Sequence, residues 1–299
     1  MSRSVRIVGI ANGRGAGDEG CQRGPDFLRA RGLTAHLVGA GVPAQWHATL
    51  RASRSLPPLE AIRQLSTLQS QQVSRLLRAS QFPLVLGGDH SCGIGTWSGA
   101  ARALRPRGAL GLVWIDAHMD AHVPSTSPTG NLHGMPLACL LGHGDAGLSA
   151  LAGAPALRPE HLCLVGIRSY EEGEAALLGR LGVRVIHADE VHRRGLPAAL
   201  DEAVSIATRG TAGFGMSIDL DALDPADAPG VGTPVPGGLR ARDLLDAVSG
   251  LAGDPRLQAL EIAEYNPLHD CGGRTATLAM QVAAAALAPG AAAREQRAA

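Results

Sequence analysis

The chain has 299 residues, 45% of them hydrophobic and 18% charged, enough apolar material for a sizeable core, which excludes disorder as the dominant state. Its 27 basic and 27 acidic residues cancel, so neither nucleic acid nor a membrane is an expected partner. All 27 basic residues are Arg, and the absence of Lys rules out a Schiff-base lysine, a Walker lysine and a Ser–Lys pair.

The first apolar run, residues 5–11, is short and leads into Asn12-Gly13-Arg14-Gly15, unlike a secretory signal. No apolar run approaches the roughly 20 residues that span a bilayer, and a reducing cytoplasm is the expected location. Short apolar runs predict strands over 4–10, 35–38, 82–86, 110–115, 162–167, 183–187, 214–218 and 260–262. Several are apolar throughout, as in a parallel sheet covered on both faces. Ile62, Leu65, Leu68, Val73, Leu76 and Leu77 mark the clearest helix, and further helices are expected over 96–104, 173–181, 198–207, 241–251 and 275–287. This alternation predicts right-handed βαβ units in a doubly wound α/β sheet. Residues 153–159 are loose in composition, but the alternation resumes after them, so a single domain over 1–299 is expected, with a frayed tail from about 288. The five cysteines, Cys21, Cys92, Cys139, Cys163 and Cys271, form no C-x-x-C pair and read as small core hydrophobes.

Polar chemistry gathers where apolar strands end. Strand 82–86 runs into Gly87-Gly88-Asp89-His90, strand 110–115 into Asp116-Ala117-His118-Met119-Asp120, and strand 214–218 into Asp219-Leu220-Asp221. Carboxyl ends of strands form the edge where open α/β sheets bind ligands. At period two, Asp116, His118 and Asp120 project to one side of an extended segment, and Asp219 and Asp221 repeat the spacing. Helix capping or solvated loops explain Asp89 or Asp224, but not three such clusters at strand ends. Close carboxylates raise one another's pKa unless cations neutralise them. Two imidazoles and four carboxylates exceed the needs of one ion, and an oxygen-rich set with some nitrogen suits Mn²⁺. Two divalent ions offset four Asp charges and depress the pKa of water, which points to a binuclear hydrolase without naming its substrate.

The stretches VLGGDHS, WIDAHMDAH, TGNLHGMP, SIDLDALDPADAPGVGTPVPGGL and EIAEYNP resemble the arginase, or ureohydrolase, family in order and spacing, over about residues 5–280. The resemblance implies a three-layer α/β/α fold around an eight-stranded, mainly parallel sheet, two Mn²⁺ per chain, and release of urea from a guanidino compound. It assigns His90, Asp116, Asp120 and Asp219 to one manganese and Asp116, His118, Asp219 and Asp221 to the other. Asp120 would orient the attacking hydroxide and take its proton. His133 would shuttle a proton, Glu264 would pair with the guanidinium, and Thr233 would hydrogen-bond nearby. Read without the resemblance or its place beside the strongest loop, His133 is more often a structural histidine, and a buried partner for an Arg is the lesser alternative for Glu264.

Substrate choice is expected from the loop after Asp120 and from the segment 166–174. Arginases carry Asn where this chain has His122, followed by a hydroxyl and an amide that Thr129 and Asn131 retain. Those groups face the substrate's α-carboxylate. Glu171 stands where arginases carry Asp, and Glu174 keeps the acid that faces the α-amino group. The expected reaction is hydrolysis of L-arginine to L-ornithine and urea. Another guanidino acid such as 4-guanidinobutyrate, or agmatine, is the alternative, and a metal-dependent deacylase of related architecture a second. The resemblance also implies a homo-oligomer, trimer or hexamer.

Overall fold

A computed structural model of the protein describes residues 4–153 and 155–288. Among these residues, eight strands form one sheet: β1 (Val5–Ala11), β2 (Ala44–Arg51), β3 (Phe82–Leu86), β4 (Ala109–Ile115), β5 (Leu162–Ile167), β6 (Arg184–His187), β7 (Thr211–Asp219) and β8 (Leu257–Ala263). Their order is β2-β1-β3-β8-β7-β4-β5-β6. Every pairing is parallel, so the sheet is wholly, not mainly, parallel. The expected frayed tail lies, beyond Ala288, outside the described residues.

The apolar strands are explained by burial on both faces. In β4, Val113 and Ile115 join a core with Leu200, Leu244 and Val282 from the helices Leu196–Thr208, Ala241–Ser249 and Arg274–Leu287. The alternate residues Leu110, Leu112 and Trp114 join the opposite core with Leu65, Val73 and Trp97 from the helices Pro58–Arg78 and Cys92–Leu104. Helices therefore cover both sides of the sheet, giving the expected α/β/α layers. No helix among the described residues is long and apolar enough to cross a membrane.

Several sequence expectations fail locally. Residues 35–38 are not a strand but part of the helix Leu33–Gly39, in which Leu33 and Leu37 are buried one turn apart and Val38 is left exposed. The missing strand is β2, which pairs only with β1 at the sheet edge and is mostly half-buried or exposed. An edge strand carrying Gln45, His47 and Arg51 lacks the apolar run that marks an interior one. In the helix Pro58–Arg78, Leu68 faces solvent while Ser66, Gln69 and Ser70 are buried in its place. Four cysteines are buried as expected, but Cys271 is exposed.

Strand register sets the functional edge. Ile115 pairs with Ile218, so Asp116 stands level with Asp219. Asp219 pairs with Ala263, so Glu264 follows one step beyond. Leu86 pairs with Ile262, which brings the turn at Gly87-Gly88-Asp89-His90 beside them. The four strands β3, β8, β7 and β4 are consecutive in the sheet and together deliver one cluster of polar groups at their carboxyl ends.

Candidate functional site

The turn after β3 is tight because backbone meets backbone there: a Cβ on Gly88 would lie 1.8 Å from the Asn12 carbonyl oxygen. Only Gly fits such an approach. Beyond it His90 is buried, stacked on Trp114 with ring centroids 4.0 Å apart. Its Nε2 lies 2.9 Å from the Ser217 hydroxyl, which donates to Glu261 at 2.8 Å. Glu261 also accepts from Trp97 Nε1 at 3.2 Å and from the Thr96 hydroxyl. Because Ser217 gives its proton to Glu261, its oxygen accepts from His90, which places the ring proton on Nε2. Nδ1 then turns a lone pair toward the oxygens of Asp219 at 2.9 Å, Asp116 at 3.1 Å and Asp120 at 3.2 Å.

A second group adjoins the first through Asp116. One Asp116 oxygen faces His90 and accepts from Trp114 Nε1 at 2.8 Å; the other accepts from the His118 backbone N–H at 2.7 Å and lies 3.6 Å from His118 Nδ1. Asp221 lies 3.1 Å from His118 Nδ1 and accepts from the Thr233 hydroxyl at 3.0 Å. Arg168 donates to the carbonyls of Asp221 at 2.8 Å and Val235 at 2.7 Å, fastening the Asp221 loop to the one that carries Thr233. The six expected ligands thus converge, with Asp116 common to both groups.

Electrostatics show what this arrangement demands. Burial, Asp221 and Asp116 push the Asp219 carboxyl well above the usual range, and burial with Asp116 pushes Asp120 up to about 7. Burial opposes charge on His118, yet Asp221 and Asp116 hold it up to about 12. Burial likewise opposes charge on His90, which Asp116, Asp120 and Asp219 nevertheless raise well above its ordinary value. Acids and imidazoles alike draw positive charge inward. His90 Nδ1 and Asp120 Oδ2 are buried without a hydrogen-bond partner. A ring nitrogen set among carboxylate oxygens needs a positive charge between them, a proton in the metal-free chain or a metal ion in its place. The donor set therefore fits metal ions.

Glu264 and His133 close one side. Glu264 is buried and takes φ +63; Asp120, at φ +49, is also among the three non-glycine residues with positive φ in the described chain. Such backbone is held by surrounding structure and tends to occur at functional sites. One Glu264 oxygen accepts from the His90 backbone N–H at 2.8 Å and lies 3.0 Å from His133 Nδ1; the other lies 3.1 Å from Cys21 Sγ. No Arg is among these partners, so the reading of Glu264 as an arginine's buried counter-ion falls away. Burial works against charge on both, but the pair holds His133 up to about 9 and Glu264 below its ordinary range.

A cavity of about 240 Å³ opens onto these groups and is also lined by His122, Thr129, Asn131, Glu171, Glu174 and Thr233. This is small-molecule size. A larger depression of about 700 Å³ near His192, Asp224 and Arg240 contains none of the converging ligand groups. His122 lines the cavity paired with carboxylates: its Nε2 lies 2.9 Å from Glu171 and 3.3 Å from Glu174, and its Nδ1 lies 3.1 Å from the Thr126 hydroxyl.

Sequence reasoning missed Asn12, Cys21, Ser217 and Glu261, and read Asp89 as a cap or a solvated loop. Asp89 is wholly buried, accepting from Gly15 N at 2.7 Å, from Asn12 and from Ser91. The Gly15 carbonyl in turn accepts from the His133 backbone N–H at 3.1 Å. Ser217 and Glu261 had a legible signal, since each is a polar residue set between apolar neighbours inside a buried strand. Asn12 and Cys21 had none, because their role depends on a contact with residues far along the chain.

An open parallel sheet with acidic and imidazole groups converging at its carboxyl edge defines the class of α/β metalloproteins that activate water for hydrolysis. The Arginase family model matches residues 3–288. An arginase from Bacillus caldovelox is 35% identical over 291 residues, covering 93% of this chain and 96% of its own, and one from Brevibacillus brevis is 36% identical over 291 residues, covering 94% and 96%. The crystal structure of arginase from Bacillus subtilis superposes with a TM-score of 0.90 at 33% identity, covering 97% of this chain and 100% of that one. The chain belongs to the arginase family.

Proposed function

We propose that this protein hydrolyses the guanidino group of L-arginine to give L-ornithine and urea, using two Mn²⁺ ions. The observation that carries the reading is the convergence of two imidazoles and four carboxylates beside Glu264 in one small cavity. His90, Asp116, Asp120 and Asp219 would hold one ion, and Asp116, His118, Asp219 and Asp221 the other. Four carboxylate charges match two dications, and the oxygen-rich set favours Mn²⁺ over thiolate-seeking Zn²⁺. Bound there, the ions act as Lewis acids and lower the pKa of water toward neutrality.

The chain's own residues supply the rest. Glu264, held below its ordinary pKa, is an anion in a buried wall and suits a guanidinium. Asp120, lining the cavity beside His90, can accept a proton from the attacking water through the carboxylate oxygen it does not give to an ion. His133, paired with Glu264 at the cavity edge, can pass a proton to the leaving amine. Thr233 fixes Asp221 through its hydroxyl. Thr129, Asn131 and His122 are assigned to the carboxylate end of the substrate, and Glu171 and Glu174 to its ammonium. Identity to named arginases supports arginine over agmatine and shorter guanidino acids. The same reading includes a single domain, a homo-oligomer (trimer or hexamer) and a cytoplasmic location. The test is urea release from a panel of guanidino compounds with Mn²⁺. L-arginine is expected to lead agmatine and 4-guanidinobutyrate, and a panel led by either of those would overturn the assignment.

A further inference from the structure

The cavity's outer end holds a contact that the family pattern does not prepare for. Glu174 is buried, and its oxygens accept from the backbone N–H groups of Ala121 at 3.0 Å and Glu171 at 3.1 Å. It cannot move without losing both. Glu171 stands on the rim with its side chain 56% exposed, yet it is folded inward onto His122 Nε2 at 2.9 Å, and the same nitrogen lies 3.3 Å from Glu174. The other ring nitrogen is anchored on Thr126, whose hydroxyl also accepts from the Val123 backbone N–H at 3.1 Å. Both nitrogens of His122 are therefore engaged within the protein, and the imidazole occupies the place between two acids where a substrate cation would bind.

An imidazole N–H and an ammonium N–H compete for the same carboxylate lone pairs. An ammonium that binds here must displace the ring or share its acceptors, so most of the gain from its charge-assisted hydrogen bonds is cancelled by those it breaks. The carboxylate end, to which His122 is also assigned, and the guanidinium end are common to L-arginine and its amine-free analogue, so they drop out of a comparison between the two.

We propose that His122 is a specificity-determining residue: by satisfying Glu171 and Glu174 internally it removes most of the pocket's preference for an α-ammonium, so that ω-guanidino acids lacking the amine are hydrolysed alongside L-arginine. This rests on the reading of the cavity as a guanidino hydrolase site. The test compares kcat/KM for urea release from L-arginine and from 5-guanidinopentanoate, which is arginine without its amine, on Mn²⁺-loaded protein. The wild-type ratio is expected to stay within about tenfold. In His122→Asn it should rise by about tenfold or more, the value of one charge-assisted hydrogen bond regained. Thr126→Val, which releases only the far side of the ring, should move the ratio in the same direction. Because each ratio comes from one preparation, a reduced folded fraction cancels. A ratio unchanged in His122→Asn, or a wild-type preference for arginine beyond that tenfold, overturns the role of His122 while leaving the hydrolase reading intact. No urea from either substrate removes both.

Discussion

Ser217→Ala separates a metal-ligand reading of His90 from a merely structural one. Ser217 and His90 are buried, and the Ser217 oxygen is the acceptor for His90 Nε2 at 2.9 Å. Removing it strands one buried N–H, at a cost of about 1–3 kcal/mol. Glu261 loses one donor but keeps Trp97 Nε1 at 3.2 Å and the Thr96 hydroxyl, so the carboxylate itself is not orphaned. The larger consequence falls on Nδ1. With Nε2 unanchored, the ring is free to tilt and to exchange tautomers, and the lone pair no longer points steadily at Asp116, Asp120 and Asp219. Loss of such an outer partner typically weakens metal binding by about 10–100-fold. Calorimetric titration of Mn²⁺ into chelator-stripped wild-type and variant protein reads that affinity, and melting of the stripped forms reads stability separately. A variant that is less stable by about 1–3 kcal/mol but binds Mn²⁺ as tightly as wild type would refute the orientation argument.

Other predictions follow the site outward. Asp219→Ala should lower Mn²⁺ occupancy and turnover together, by elemental analysis and urea assay; full activity with two bound ions would contradict its place in the cluster. His133→Asn should leave Mn²⁺ affinity unchanged while slowing turnover by about 10²–10⁴-fold, with partial recovery on adding imidazole, and wild-type kinetics would remove the proton-transfer role. Stability should depend on pH in a metal-dependent way. Asp120 titrates in the folded chain at about 7 against an ordinary value of about 4, so the metal-free fold loses stability as pH rises through that interval. His133, raised to about 9, contributes stability that is full below about 6.5 and is lost as pH climbs through its folded value. Dications replace the proton on Asp120, whereas His133 ligates no ion and its loss is common to the loaded and stripped forms. The gap in melting temperature between Mn²⁺-loaded and EDTA-treated protein should therefore widen from pH 5 to 9; a constant or narrowing gap would show that the acids are not the groups the metal neutralises.

Much of this site could be read before any coordinates. Asp116, His118 and Asp120 alternate along one extended segment, and strand-end placement is a property of sequence wherever strands are apolar and buried on both faces. The same cue located seven of the eight strands. It failed for β2, whose exposed edge carries polar residues, and it misread residues 35–38, where Leu33 and Leu37 are spaced for a helix. What was illegible depends on contacts between distant segments. Nothing near Cys21 announces that its thiol lies against Glu264, 243 positions away. The His122 side chain was visible as a departure from the family, but its clamp on Glu171 and Glu174 depends on how the loop after Asp120 folds over the helix Glu172–Leu181. A motif can list the groups at a pocket's rim, but not which of them are already paired.

The central claim is that the gathered acids and imidazoles function as a two-ion hydrolytic centre. Its most direct test is a titration of Mn²⁺ into metal-stripped protein with urea release from L-arginine followed at each step. Activity should be absent at the start and should climb to a plateau at two equivalents per chain. Substantial turnover before any ion is added, or saturation of binding without urea, would contradict it.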